Sequence, residues 1–123
     1  MSQEQTFSAA ELEQYRLQLR SMRDRLNGDI DKLVDSVRAE LDPASNLSSV
    51  PVHMGDIAPE QIDADIDVIE TERGMMGEIQ AALKRIDDGS FGVCVDCGQP
   101  IARERIDLIP YTPYCVNCAK KHS

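Results

Sequence analysis

Four thiols arranged as Cys94-Val95-Asp96-Cys97 and Cys115-Val116-Asn117-Cys118, with 17 residues between the pairs, restrict what the end of this chain can become. Two residues between cysteines let a tight turn aim both sulfurs at one ion, and two such turns complete a tetrahedral four-thiolate zinc site. Gly98, directly after the first pair, permits the backbone twist that points amides at a thiolate. Four protein ligands leave no open coordination position. One structural Zn2+ held by Cys94, Cys97, Cys115 and Cys118 is therefore expected, without Lewis-acid chemistry. Iron in the same cage is chemically allowed, and a thiol-disulfide redox role lacks the βαβ pattern that accompanies such pairs. Between the pairs, Ile101, Ile106, Leu108 and Ile109 are expected to form a small core around the metal. Arg103 and Arg105 are candidate phosphate contacts, but the interleaved Glu104 and Asp107 favour surface ion pairing. His53 and His122 have no ligand-spaced neighbours and receive no chemistry beyond contact roles.

The rest of the 123-residue chain must fold with little aromatic material, since Phe and Tyr make up 4% of it and Trp is absent. Long helices with aliphatic stripes, supplemented by a metal, meet that need. Ser8-Ala9-Ala10-Glu11 is a capping box, with Phe7 and Leu12 spaced as a hydrophobic staple. Beyond it Leu12, Tyr15, Leu19, Met22, Leu26, Ile30, Leu33, Val37 and Leu41 recur at steps of three and four. The successive steps of four at Met22-Leu26-Ile30, with Gly28 inside them, predict a local slip in the heptad. Asp42-Pro43 ends this helix after a rod of roughly 50 Å. A second helix begins at Ala58-Pro59-Glu60 and carries Ile62, Ile66, Ile69, Met76, Ile79, Leu83 and Ile86, with Arg73 replacing an apolar residue midway. Gly89 after Asp87-Asp88 can close its last turn.

The fold class that follows is mostly α, a long antiparallel coiled-coil helical hairpin followed by a small four-cysteine zinc-finger module. The hairpin occupies residues 1–88, with helices about 8–41 and 59–88 and a tip loop 42–58, and the module occupies 89–123. A parallel homodimeric coiled coil is the alternative, but the turn region makes a hairpin easier to form, so a monomer is expected. The connection is long for an αα turn. From Asp42 to Glu72 there are eight acids, Asp42, Asp56, Glu60, Asp63, Asp65, Asp67, Glu70 and Glu72, and no Lys or Arg. This makes the far end of the hairpin an acidic prong, to be weighed against a merely solubilising face.

Thirteen Lys and Arg against 22 Asp and Glu give a formal net charge of −9, which repels a phosphate backbone and argues against direct or sequence-specific DNA binding. No apolar run approaches a membrane span, so no membrane association is expected. The first residues lack the basic and apolar regions of a signal peptide. A cytoplasmic location is expected, where a reducing milieu favours thiolates on a metal over disulfides.

The run Ile86-Asp87-Asp88-Gly89-Ser90-Phe91-Gly92-Val93-Cys94-Val95-Asp96-Cys97-Gly98, followed by Ile101, Arg105-Ile106, Ile109-Pro110, Tyr114-Cys115 and Cys118, resembles the DksA/TraR family of bacterial zinc-finger transcription factors. The likeness is specific from about Leu83 to Lys120 and architectural over the hairpin. It implies a protein that binds RNA polymerase and not DNA, with the coiled-coil tip in the secondary channel, near the active site, modulating initiation. Better-known members carry Asp-x-x-Asp-x-Ala at the tip, and those positions fall here on Pro51, Met54 and Asp56. A local Asp-x-Ala appears two residues later as Asp56-Ile57-Ala58, and His53-Met54-Gly55-Asp56 resembles the tip of a divergent DksA-like branch. The resemblance thus implies tip contacts from His53, Met54, Asp56 and Ala58, with Asp56 leading, and an acidic shaft of Glu60, Asp63, Asp65 and Asp67.

Longer members use a C-terminal helix to hold polymerase and the alarmone ppGpp. Here five residues follow Cys118, and Glu78 falls where those members place a ppGpp-contacting lysine, so little ppGpp affinity is expected. The rival reading is a zinc-ribbon adaptor whose coiled coil scaffolds other proteins without effect on polymerase, but it gives no reason to concentrate acids at the tip. No enzymatic activity is expected, since no nucleophile-base pair or open metal site is offered.

Overall fold

A computed structural model describes residues 7–41 and 59–122. The described residues contain four helices, α1 (Ala9–Leu41), α2 (Pro59–Asp88), α3 (Arg103–Leu108) and α4 (Val116–Lys121). The first two form a long helical hairpin and the last two lie in the four-cysteine region, as the mostly α reading expected. Among the described residues the β-structure is one isolated antiparallel bridge, Val93 with Pro100. No helix there is long and apolar enough to cross a membrane. The tip residues His53, Met54, Asp56 and Ala58 lie outside the described residues.

The boundaries have local causes. Ser8 accepts the Glu11 amide through Oγ at 3.1 Å, while Glu11 Oε1 accepts the Ser8 amide at 2.9 Å, completing the capping box. At the end of α2 the Ser90 amide reaches the Arg85 carbonyl at 2.9 Å and the Gly89 amide reaches Ile86 at 3.4 Å. That is a Schellman ending, and it places Gly89 at φ +84°, where a Cβ would be strained.

The chain divides into two compact units, Met1–Arg23 with Gly77–Ser123, and Asp24–Met76. In the first, Leu19, Ile79, Ala82, Ile86, Phe91, Ile101 and Ile106 are buried. In the second, Ile30, Val37 and Ile69 form a core, with Leu33, Val34, Ile62 and Met76 partly buried against it.

Burial along both helices follows the expected stripe except at Leu41 and Ile66, and adds charged residues to it. On α1 the buried or half-buried positions include Leu12, Tyr15, Arg16, Leu19, Met22, Arg23, Leu26, Ile30, Leu33, Val34, Val37 and Glu40. Met22, Leu26 and Ile30 are all buried or half-buried on either side of Gly28, and Leu41 is 61% exposed. On α2, Ile62, Asp65, Ile69, Glu72, Met76, Ile79, Leu83 and Ile86 turn inward, while Ile66 and Arg73 are exposed. Arg73 does not fill the midway position; Glu72 does. Apolar counting misses these places because it passes over charged residues, whose stems can fill a seam position as aliphatic side chains do.

Candidate functional site

The four cysteines converge in the first unit. Their sulfurs lie within 4.8 Å of one another, and Cys97 and Cys115 Sγ are 3.7 Å apart. A tetrahedron of thiolates with Zn–S bonds of about 2.3 Å has edges of roughly 3.8 Å, so the donor set fits one zinc. Positive φ at Gly98 (+77°) turns the chain after the first pair, and its amide donates to the Cys94 carbonyl at 3.0 Å. The Cys94 amide donates to Gln99 at 2.8 Å and the Val95 amide to the Pro113 carbonyl at 2.9 Å, tying the first ligand loop to the approach of the second. Cys115 caps α4, accepting the Cys118 amide at 3.5 Å.

Charge also favours a metal. Burial raises the Cys94 thiol, but amides of Cys97, Cys115 and Asp96 outweigh it and bring the group down to about 6. Burial and the three neighbouring thiols push Cys118 strongly the other way. One proton leaves readily and another resists because burial and the neighbouring thiols favour its neutral form, a conflict that a divalent cation removes.

The surrounding shell differs in part from the expected one. Ile101 and Ile106 are each 1% exposed and Pro110 is buried, but Leu108 is 82% exposed and does not join the core. A six-residue helix ending at Leu108 turns Ile106 inward and leaves its terminus in solvent. Arg103 pairs with Glu11 at 2.6 Å across the sequence, and Arg105 Nε donates to the Tyr114 carbonyl at 2.9 Å. Buried Thr112 donates to the same carbonyl at 3.1 Å and accepts the Tyr114 amide at 3.4 Å, fixing the residue before Cys115. His122 stacks on Tyr114 with centroids 4.4 Å apart and lies 3.3 Å from Asp96. Lateral ties with large sequence separation leave no spacing signal, which is why residue patterns do not reveal them.

In the second unit Glu60, Asp63 and Asp67 are exposed, whereas Asp65 is half-buried in the seam and accepts from Gln61 Nε2 at 2.9 Å. The shaft acids are thus divided between solvent and seam. Glu72 Oε1 is buried and has no hydrogen-bond partner among the described residues.

Helical hairpin and clustered thiols together define a coiled-coil protein with a structural zinc module. Residues 89–123 match the family described as prokaryotic dksA/traR C4-type zinc finger. The chain is 27% identical to the RNA polymerase-binding transcription factor DksA of Escherichia coli K12 over 115 residues, 94% of this chain and 73% of that protein. It is 35% identical to general stress protein 16O of Bacillus subtilis over 95 residues, 76% of this chain and 56% of the relative. Its fold is similar to the solved structure of transcription factor DksA2 from Pseudomonas aeruginosa, with a TM-score of 0.74, 24% identity and coverage of 94% of this chain and 85% of that one. Residues 89–123 are thus a dksA/traR-type C4 zinc finger with one structural zinc site, in a chain similar over most of its length to DksA proteins.

Proposed function

We propose that this chain is a transcription regulator that binds RNA polymerase directly and presents the acidic end of its hairpin to the secondary channel, changing initiation without catalysing a reaction. The observation that carries the reading is the 94% span of the match to a protein named for binding RNA polymerase, which takes in hairpin and zinc module alike. Charge supplies the physical rationale. Residues 24–76 contain thirteen acids and four bases, whereas the remainder contains nine of each, so the whole net charge of −9 falls in the second unit. A channel that admits anionic nucleotides has basic walls, and a carboxylate-rich prong is drawn into it by long-range attraction. Near a catalytic magnesium, carboxylates can perturb the metal or the substrate path. In this reading Asp56 acts at the tip with His53, Met54 and Ala58, Glu60, Asp63 and Asp67 guide entry, and the protein works as a cytoplasmic monomer. With Glu78 acidic, ppGpp contributes little direct binding.

The test combines binding to purified polymerase core with promoter-complex lifetimes. Wild type should bind, more weakly as salt rises, and alter lifetimes. Asp56→Asn should retain binding within a few-fold while losing most of the lifetime effect, and Asp63→Lys/Asp67→Lys should slow association. No binding by wild type defeats the polymerase reading in favour of an adaptor. An active wild type matched by Asp56→Asn removes Asp56 from its role.

A further inference from the structure

Phe7, the residue before the capping box, is held by the first unit on several sides. Its ring meets Tyr15 and Phe91 edge-on, with centroids 5.7 and 5.5 Å away, and those two rings are 5.3 Å apart. The Arg103 guanidinium lies over its face, 4.2 Å from the centroid. The ring also presses on Gly92, where an added Cβ would stand 2.5 Å from Phe7 Cε2 and 3.1 Å from Cζ. Gly92 has φ +87°, accepts the Ile101 amide at 2.8 Å and precedes Cys94 by two residues.

A capping box requires none of these contacts. Glu11 divides its carboxylate between two tasks, with Oε1 accepting the Ser8 amide and Oε2 the Arg103 guanidinium at 2.6 Å. The helix cap and the grip on Phe7 therefore share one side chain. Tyr15 adds a bond to Asp107 at 2.5 Å, so two turns of α1 reach both the ligand loop and α3.

We infer that Phe7 and the first turns of α1 form a clasp on the zinc module, coupling retention of the metal to the order of residues 7–16. The ring restricts the Gly92–Cys94 backbone that delivers the first ligand. Loss of the metal loosens that loop and removes the bed on which the ring lies. Such coupling is reciprocal, since whatever the clasp contributes to holding zinc, zinc contributes to holding the clasp.

Zinc transfer from the loaded full-length protein to a chelating dye reads one direction. Phe7→Ala should release zinc at least about fivefold faster, the lower end of typical coupling between sites. Glu11→Gln, which keeps a capping side chain but drops the charge facing Arg103, should move the rate less and in the same direction. Leu17→Ala, at a position 56% exposed on the same helix, should release at the wild-type rate. Hydrogen exchange on the unaltered chain reads the other direction without relying on any variant to fold. Stripping zinc should deprotect amides 12–16 and leave 33–37 protected. Wild-type release by Phe7→Ala, or unchanged protection at 12–16, overturns the clasp, and loss of protection at 33–37 as well replaces it with global unfolding.

Discussion

The two compact units bury similar aliphatic residues and yet are held in different ways. The first balances nine acids with nine bases, buries Leu19, Ile79 and Ala82 completely, and adds four thiols, an aromatic trio and cross-chain ion pairs such as Arg16 with Asp87 at 2.6 Å. The second has thirteen acids to four bases and admits Asp65 and Glu72 to its seam, one of them with a buried oxygen that finds no described partner. Self-repulsion and a polar seam oppose compaction. Where such features persist, stability has yielded to another demand, and in the proposed function that demand is recognition by a basic surface.

Metal removal gives the largest separation between the units. Structural zinc in small modules is worth on the order of 10–16 kcal/mol, so Cys115→Ser should lose zinc and melt the 89–122 module while amides 33–37 stay protected. Metal analysis paired with hydrogen exchange decides it. A Cys115→Ser protein with one tightly bound zinc, or with uniform loss of helix, would erase the contrast.

Core truncation comes next. Leu19→Ala in the closely packed unit should cost toward the top of the roughly 2–5 kcal/mol range for such deletions, and Ile69→Ala toward the bottom, because its half-exposed neighbours can close the cavity. Unfolding followed separately through amides of each unit provides the two values. Equal losses would mean that the seams are packed alike.

Much of this was legible in the residue order, and the exceptions share a physical character. Cysteine spacing, the Ser8–Glu11 box and Gly89 specify local geometry within a few residues, so their signals survive without tertiary information. The aliphatic part of the seam was legible, but counting apolar residues also selected Ile66 and Leu41 and passed over Asp65, Glu72 and Glu40. Leu108 read as core on composition, although the short α3 turns it outward. Phe7, Arg103 and Glu11 meet across about 90 residues of sequence, a distance at which spacing carries no information.

Glu72→Leu sharpens the contrast in the opposite sense from the deletions above. Replacing a carboxylate whose Oε1 is buried without a described partner by a residue that fills the heptad should stabilise the second unit by about 1–2 kcal/mol. Slower exchange of amides 62–76 is the expected reading, with the first unit unchanged. A destabilised variant would show that Glu72 has a productive partner.

The smallest expected effect is a pH response confined to the first unit. The Arg103 hydrogen bond, with help from Ser8, holds Glu11 down to about 2, below its ordinary 4.5. A depressed folded value contributes stability that is present above 4.5 and is lost as pH falls from there through about 2. Tyr15 works at the other end. Burial first, and then its bond to Asp107, raises the phenol from 10 to about 12. The folded state therefore favours the neutral phenol, and stability declines once pH rises above 10 and the unfolded chain ionises first. Between neutral pH and 10 the Phe7 clasp should be indifferent to pH, and in acid it should hold until protonation of the thiolates releases zinc. Both groups are solvent-accessible, so the changes should appear as local loosening and not as unfolding. An NMR titration of the zinc-loaded protein should show the Glu11 carboxyl still largely ionised at the lowest pH at which zinc is retained. A midpoint near 4.5 in the zinc-loaded protein would mean that Arg103 does not share the capping carboxylate in solution, leaving the capping box and the aromatic trio to hold the N-terminal turn without the ion pair.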